Sequence, residues 1–187
     1  MRARMVAIGA STGGLHAIRT LLPMVPAGPS AALVIVLHRH IEESGDLLPI
    51  LEAVCALPIG FPLDKELILP GRIYVAPPNY HLLLEGGHFA YSLDAPEDFA
   101  RPSIDVVFES VANAYREAAC GVVLTGMRKD GALGLAAIAR NGGVALVQSP
   151  SEAFASSMPL AALGAVPSAQ ELSRRGIGEW LVEYVGG

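Results

Sequence analysis

Met5-Val6-Ala7-Ile8-Gly9-Ala10-Ser11-Thr12-Gly13-Gly14 decides how this 187-residue chain is read. An apolar run of strand character ends in glycines that enclose one serine, and Leu15, Ile18, Leu21 and Leu22 then share a helix face. A strand must therefore turn into a helix with Ser11 near the tip. Gly9 and Gly13 give the spacing G-x-S-x-G of a nucleophile elbow, where missing Cβ atoms let the chain turn sharply and expose the hydroxyl. The backbone N–H groups that follow open a helix and lack internal partners, so they suit an oxyanion or a phosphate.

A glycine-rich turn of this kind also serves dinucleotides, and Gly9 to Gly14 is similar to the first turn of short-chain dehydrogenases. That use calls for an acidic residue about 20 residues on, at the end of the second strand, to hold a ribose. Here the second apolar run, residues 33–37, ends in His38. No Tyr-x-x-x-Lys pair exists either, since the only lysines are Lys65 and Lys129. A nucleotide-binding oxidoreductase thus loses its ribose ligand and its catalytic pair.

Outward from this turn, short β-branched runs at residues 5–8, 33–37, 72–76, 121–125 and 144–147 have the character of strands buried on both faces of a parallel sheet. Helical patterns separate most of them. Ile104, Val107, Phe108, Val111, Ala112 and Tyr115 repeat at three and four, with Ser103 placed to cap that helix and Asp105 in its first turn. Further helices are expected over residues 132–140 and 177–185. Residues 81–84 and 89–93 flank Gly86-Gly87 and predict a hairpin. The expected fold is α/β: a doubly wound, mostly parallel sheet with helices on both faces and an appended antiparallel β-hairpin.

Active residues of such sheets collect at the carboxyl ends of the strands. Ser11 follows the first strand, His38 the second, and Asp130 lies in the loop 126–131 after the strand at 121–125. A serine hydroxyl needs an imidazole to take its proton, and the imidazole needs a carboxylate to fix its tautomer. Taken singly, a strand-end histidine and an Asp-Gly pair before a helix are ordinary structural features. His40 is a rival base, two residues beyond the apolar run, whereas His16 falls in a helix and His81 and His88 in the hairpin.

Composition narrows the classes. The formal charge of −5, with no Lys/Arg block, argues against a nucleic-acid partner. Cys55 and Cys120 are far apart and form no C-x-x-C, so they read as ordinary thiols of a reducing compartment. No signal-peptide pattern and no bilayer-length apolar run are present, so a cytoplasmic protein without membrane insertion is expected. At this length no disulfide or metal staple is required, and residues 1–187 read as one domain.

The chain resembles the CheB chemotaxis protein-glutamate methylesterase family in its catalytic domain over nearly its full length. The resemblance rests on residues 8–14, the strand ending in His38, Leu69-Pro70-Gly71 through Val75-Ala76-Pro77, Arg101-Pro102-Ser103-Ile104-Asp105, and Leu124-Thr125-Gly126-Met127 with Asp130-Gly131. It implies that Ser11, His38 and Asp130 form a catalytic triad, and that Met127 and Thr12 help bind the oxyanion. The implied activity is hydrolysis of glutamate γ-methyl esters on the cytoplasmic helices of methyl-accepting chemoreceptors, with glutamine deamidation in some members. A stand-alone catalytic domain without the family's receiver domain is expected, so phosphorylation would not gate it in the usual way. Arg128 and Lys129 sit where many relatives carry small or neutral residues, which suggests a cationic rim. A catalytically silent signalling module is the alternative, and it would keep its function in Ser11→Ala.

Overall fold

The computed structural model describes residues 4–38 and 47–186. Seven parallel strands form the main sheet: β1 (Arg4–Ala10), β2 (Ala31–Leu37), β3 (Ile59–Gly60), β4 (Ile73–Val75), β7 (Ala119–Val123), β8 (Val144–Gln148) and β9 (Gln170–Leu172). Their order is β3-β4-β2-β1-β7-β8-β9. Strands β5 (His81–Glu85) and β6 (His88–Ser92) make a separate antiparallel hairpin around Gly86-Gly87. The helices are α1 (Gly14–Leu21), α2 (Leu47–Glu52), α3 (Ile104–Tyr115), α4 (Ala132–Arg140), α5 (Ser157–Ala165) and α6 (Arg174–Gly186).

Both faces of the sheet are covered, which is why its strands read as continuous apolar runs. Along β1 and β2 alternate residues take opposite sides. Met5, Ala7, Val34 and Val36 pack under α3, α4, α5 and the hairpin, while Val6, Ile8, Leu33 and Ile35 face α1, α2 and α6. The hairpin belongs to the first of these layers: Leu82, Leu84 and Phe89 are buried in it, and the Leu84 N–H donates to Ser110 Oγ on α3 at 3.2 Å.

One close approach carries over to the site. Ile104, the first residue of α3, lies across β1 at Gly9, where a Cβ would come within 2.4 Å of the Ile104 Cγ2. Glycine at position 9 therefore lets the start of α3 settle two residues short of Ser11. Among the described residues no helix is long and apolar enough to cross a membrane.

The elements depart from sequence expectation mainly at the edges. Helices α2 and α5 and strands β3 and β9 had no clear pattern, and α6 begins at Arg174, ahead of the expected Ile177.

Candidate active site

Strand β1 is the point where the chain's path through the sheet reverses, since β2, β4 and β3 extend to one side and β7, β8 and β9 to the other. Crevices at the carboxyl ends of such switch points are where open α/β sheets bind ligands. Ser11 sits there. Its N–H donates to the Thr125 carbonyl beyond β7 at 3.0 Å, and its carbonyl accepts from the Gly14 N–H at 2.7 Å. Gly13 completes the turn with φ of 79°, in the left-handed region that glycine tolerates. Ser11 is half-buried, and among the described residues its hydroxyl has no hydrogen-bond partner.

His38 is brought beside it by strand register. Ala10 pairs with Leu37, and the His38 N–H donates to the Ala10 carbonyl at 3.0 Å, so Ser11 and His38 are the next residues on neighbouring parallel strands. The imidazole keeps about a fifth of its surface exposed, at 20%, and its Nε2 lies 2.9 Å from Oδ2 of Asp130. The approach falls short of a well-directed hydrogen bond, so the pair is a close polar contact. With Nε2 turned to the carboxylate, Nδ1 is the nitrogen left for a serine proton. No Ser11–His38 hydrogen bond is formed in this structure, a looseness common in substrate-free sites. The rival His40 lies outside the described residues.

Asp130 is 2% exposed and nearly saturated with donors. Oδ2 accepts from the Ile104 N–H at 2.7 Å, and Oδ1 from the Asp105 N–H and the Ser103 hydroxyl, both at 2.9 Å. The carboxylate thus crowns the N-terminus of α3, where partner-less N–H groups and the helix dipole favour negative charge. Burial pushes its pKa up, but the contact with His38 and the N–H groups of Asp105 and Ile104 outweigh burial and hold it below the ordinary carboxylate value.

Asp105 returns the arrangement. In sequence it reads as a favourable charge in its own first turn, yet its Oδ1 accepts from the Gly131 and Gly134 N–H groups at 2.9 and 2.7 Å, at the start of α4. Each helix is therefore capped by an aspartate tied to the other. Burial is the main reason the Asp105 pKa is pushed up to about 6, with the neighbouring Asp130 and Glu109 charges adding to it against the two N–H bonds.

A second serine and histidine adjoin the same aspartate. Ser103, fully buried, donates its hydroxyl to Asp130 and accepts from the Val106 N–H at 3.3 Å as the cap of α3. Its backbone N–H, not its hydroxyl, meets His81 Nδ1 at 3.3 Å, and His81 Nε2 reaches the Ala95 carbonyl at 3.0 Å. The position of Ser103 as a cap was legible in sequence. The part of His81 was not, because a histidine in a hairpin strand carries no signal of what it faces.

The far side of the crevice is held by Thr125 and Gln148, both buried. Thr125 Oγ1 donates to the Thr12 carbonyl at 2.9 Å and accepts from the Ala155 N–H at 2.9 Å, while its own N–H donates to Gln148 Oε1 at 2.9 Å. Among the described residues the Thr12 and Met127 N–H groups donate no hydrogen bond. Gln148 was missed, although a lone polar residue closing an apolar strand was the available clue. A cavity of about 290 Å³ lined by Lys65, Glu85, His88, Phe89 and Ala90 belongs to the hairpin and holds none of these groups.

Serine hydrolases arrange a serine, a histidine and an aspartate at one end of such a sheet, and fold and site together place the chain in that class of enzyme. The CheB methylesterase family model matches residues 6–181, and the chain belongs to this family. It is 41% identical over 183 residues to a candidate protein-glutamate methylesterase/protein-glutamine glutaminase of Leptospira interrogans, covering 97% of this chain and 95% of that one. It is 39% identical to protein-glutamate methylesterase/protein-glutamine glutaminase 3 of Pseudomonas aeruginosa, covering 97% of this chain but spanning 55% of that protein. The crystal structure of the Thermotoga maritima CheB methylesterase catalytic domain superposes with a TM-score of 0.92 at 28% identity, over 99% of this chain and 100% of that one.

Proposed function

We propose that this protein hydrolyses γ-methyl esters of peptidyl glutamate, with Ser11 as nucleophile, His38 as general base and acid, and Asp130 as the carboxylate that orients and stabilises the imidazole. The observation that carries the reading is the contact of His38 Nε2 with buried Asp130 at 2.9 Å, on the strand next to Ser11. Ser11 Oγ attacks the ester carbonyl carbon while its proton passes to His38 Nδ1. The tetrahedral intermediate collapses with loss of methoxide, which takes that proton and leaves as methanol. Water, deprotonated by His38, then attacks the acyl-enzyme, and Ser11 departs with that proton to leave a glutamic acid side chain, which ionises to the carboxylate by releasing its proton to solvent. The Met127 and Thr12 N–H groups are the donors assigned to the oxyanion, each of a kind that lowers the barrier by about 2.7 to 4 kcal/mol.

Glutamine deamidation follows the same course with ammonia in place of methanol, and the names of the relatives support it. The substrate assigned is the cytoplasmic helical region of methyl-accepting chemoreceptors, which places the protein in the cytoplasm, and no step calls for a cofactor. The test is methanol release from a methylated receptor fragment by wild type, Ser11→Ala and His38→Ala. Release by wild type alone is expected. Undiminished release by Ser11→Ala would overturn the assigned nucleophile, and silence from wild type across several receptors would favour a binding module.

A further inference from the structure

Phe99 and Arg128 meet beside the site at the expense of backbone comfort. The reversal at residues 97–100 is closed by hydrogen bonds between the Glu97 and Ala100 backbones, at 3.1 and 2.8 Å. Its central residues, Asp98 and Phe99, have φ of 45° and 65°. Gly86 and Gly87 make the two-residue reversal of the hairpin with φ of 56° and 83°, using the residue that such turns favour. Phe99 instead holds a bulky aromatic there, and the residue is 86% exposed, so burial does not account for it.

Arg128 repeats the oddity in the Asp130 loop. Its φ is 70°, again in the region suited to glycine, and its guanidinium lies 4.8 Å from the centre of the Phe99 ring, a cation–π contact. Lys129 beside it is exposed, as is Met127. A second aromatic, Phe154, is 82% exposed and packs its Cβ against the Gly13 turn, where a Cβ would come within 2.7 Å of it. Exposed rings thus border both the Ser11 turn and the Asp130 loop. Backbone outliers of this kind cluster where a surface binds a ligand, so two of them in contact beside the candidate site are the starting point for a binding role.

Charge names the occupant. Arg128 and Lys129 set exposed cations at this edge of a chain that carries −5 overall, so an anionic segment finds its complement here and not on the rest of the surface on average. We propose that the Phe99–Arg128 pair is a docking element that selects acidic peptide segments with apolar flanks. Arg128 pairs with a carboxylate next to the scissile ester, and Phe99 and Phe154 take the apolar flanks. The inference rests on the esterase reading above and adds a consequence to it. Each turnover turns a neutral ester into a carboxylate, so a segment with several esterified glutamates becomes a better substrate as its neighbours are processed.

The test uses peptides with one γ-methyl glutamyl residue flanked either by glutamates or by serines, hydrolysed by wild type, Arg128→Gly and Phe99→Ala at low and high salt. Anisotropy of the labelled glutamate-flanked product peptide measures binding without turnover. Glycine accepts the local φ, so Arg128→Gly is expected to melt no lower than wild type. Wild type should favour the acidic peptide in kcat/KM by about threefold to tenfold at low salt, and that preference should collapse in high salt and in Arg128→Gly. Phe99→Ala should raise KM for both peptides. Equal rates on the two peptides by wild type, or a preference that survives in Arg128→Gly, would overturn the proposal. If no peptide is hydrolysed, salt-sensitive binding that Arg128→Gly abolishes would uphold docking while the esterase reading fails, and binding indifferent to the variant would overturn docking too.

Discussion

Two serine–histidine pairs flank Asp130, one reaching it through His38 and the other through Ser103, and they differ in what they have left to give. Ser103 and His81 are 0% and 1% exposed; the Ser103 hydroxyl both donates and accepts, and both His81 nitrogens are engaged. Among the described residues the Ser11 hydroxyl, half-buried, has no partner, and His38 stays 20% exposed with no partner at Nδ1. Residue type does not separate the pairs. A saturated, dry network fixes geometry, because every donor and acceptor already has its partner. Reactivity needs an unspent hydroxyl and an imidazole nitrogen that a substrate can reach. The buried pair thus holds geometry, Ser103 by its bond to Asp130 and His81 by its contact with the Ser103 N–H, and the open pair is the one proposed to react.

The sharpest way to break this comparison is to remove each hydroxyl in turn. Ser11→Ala should lower kcat by on the order of 10⁴ to 10⁶-fold while leaving the melting temperature nearly unchanged, since no hydrogen bond to the described residues is lost. Ser103→Ala should do the reverse: it deprives Asp130 of a donor and α3 of its cap, lowering stability by about 1 to 2 kcal/mol. Its kcat should fall only modestly. Methanol release and thermal unfolding on both variants decide the matter, and a folded, inactive Ser103→Ala beside an active Ser11→Ala would exchange the roles.

Next in size is Asp130→Asn, which touches both pairs at once. An amide can offer its NH₂ to His38 and so select the wrong imidazole tautomer, a change that costs about 10⁴-fold in kcat where an aspartate has that role. It also replaces a carboxylate on the α3 N-terminus by a neutral group, with an expected loss of about 1 to 3 kcal/mol in stability. Activity within tenfold of wild type would show that His38 does not depend on Asp130.

Much of this arrangement was legible beforehand, for a physical reason. Strands buried on both faces must be continuously apolar, so β1, β2, β7 and β8 stood out, and the polar residues that follow the first two, Ser11 and His38, marked the crevice. Where burial is slight the signal fails. Strand β3 has two residues, and β9 is a mostly exposed edge strand of Gln170, Glu171 and Leu172. Helix α5 carries apolar residues on every side and includes Pro159 and Gly164, so no stripe announced it; Pro159 is tolerated because the first turn needs no internal N–H bond. The contacts of Asp130 with Ser103, Ile104 and Asp105 were hidden for another reason. They join residues 25 to 27 positions apart, and they depend on Ile104 settling over Gly9.

The smallest expected effect concerns the two aspartates that cap each other's helices, whose pKa values move in opposite directions. Asp130 titrates below the ordinary carboxylate value when folded, so its stabilisation is complete above about pH 3.8 and is lost as pH falls through the folded value. Asp105 titrates at about 6 when folded against 3.8 otherwise, so the folded protein holds that proton more tightly than the unfolded chain. Between those values the native state binds more protons, and the contribution of Asp105 to stability therefore rises as pH falls from above 6 toward 3.8. The charges that face it, Asp130 from the loop and Glu109 from its own helix, both act in that direction. Asparagine at position 105 retains an oxygen for the Gly131 and Gly134 N–H groups but cannot titrate. Urea unfolding of wild type and Asp105→Asn at about pH 7.5 and about pH 4.5 should show wild type gaining on the variant at the lower pH, since other titrations largely cancel in the difference. Parallel pH profiles would mean that Asp105 is no more than a solvated cap.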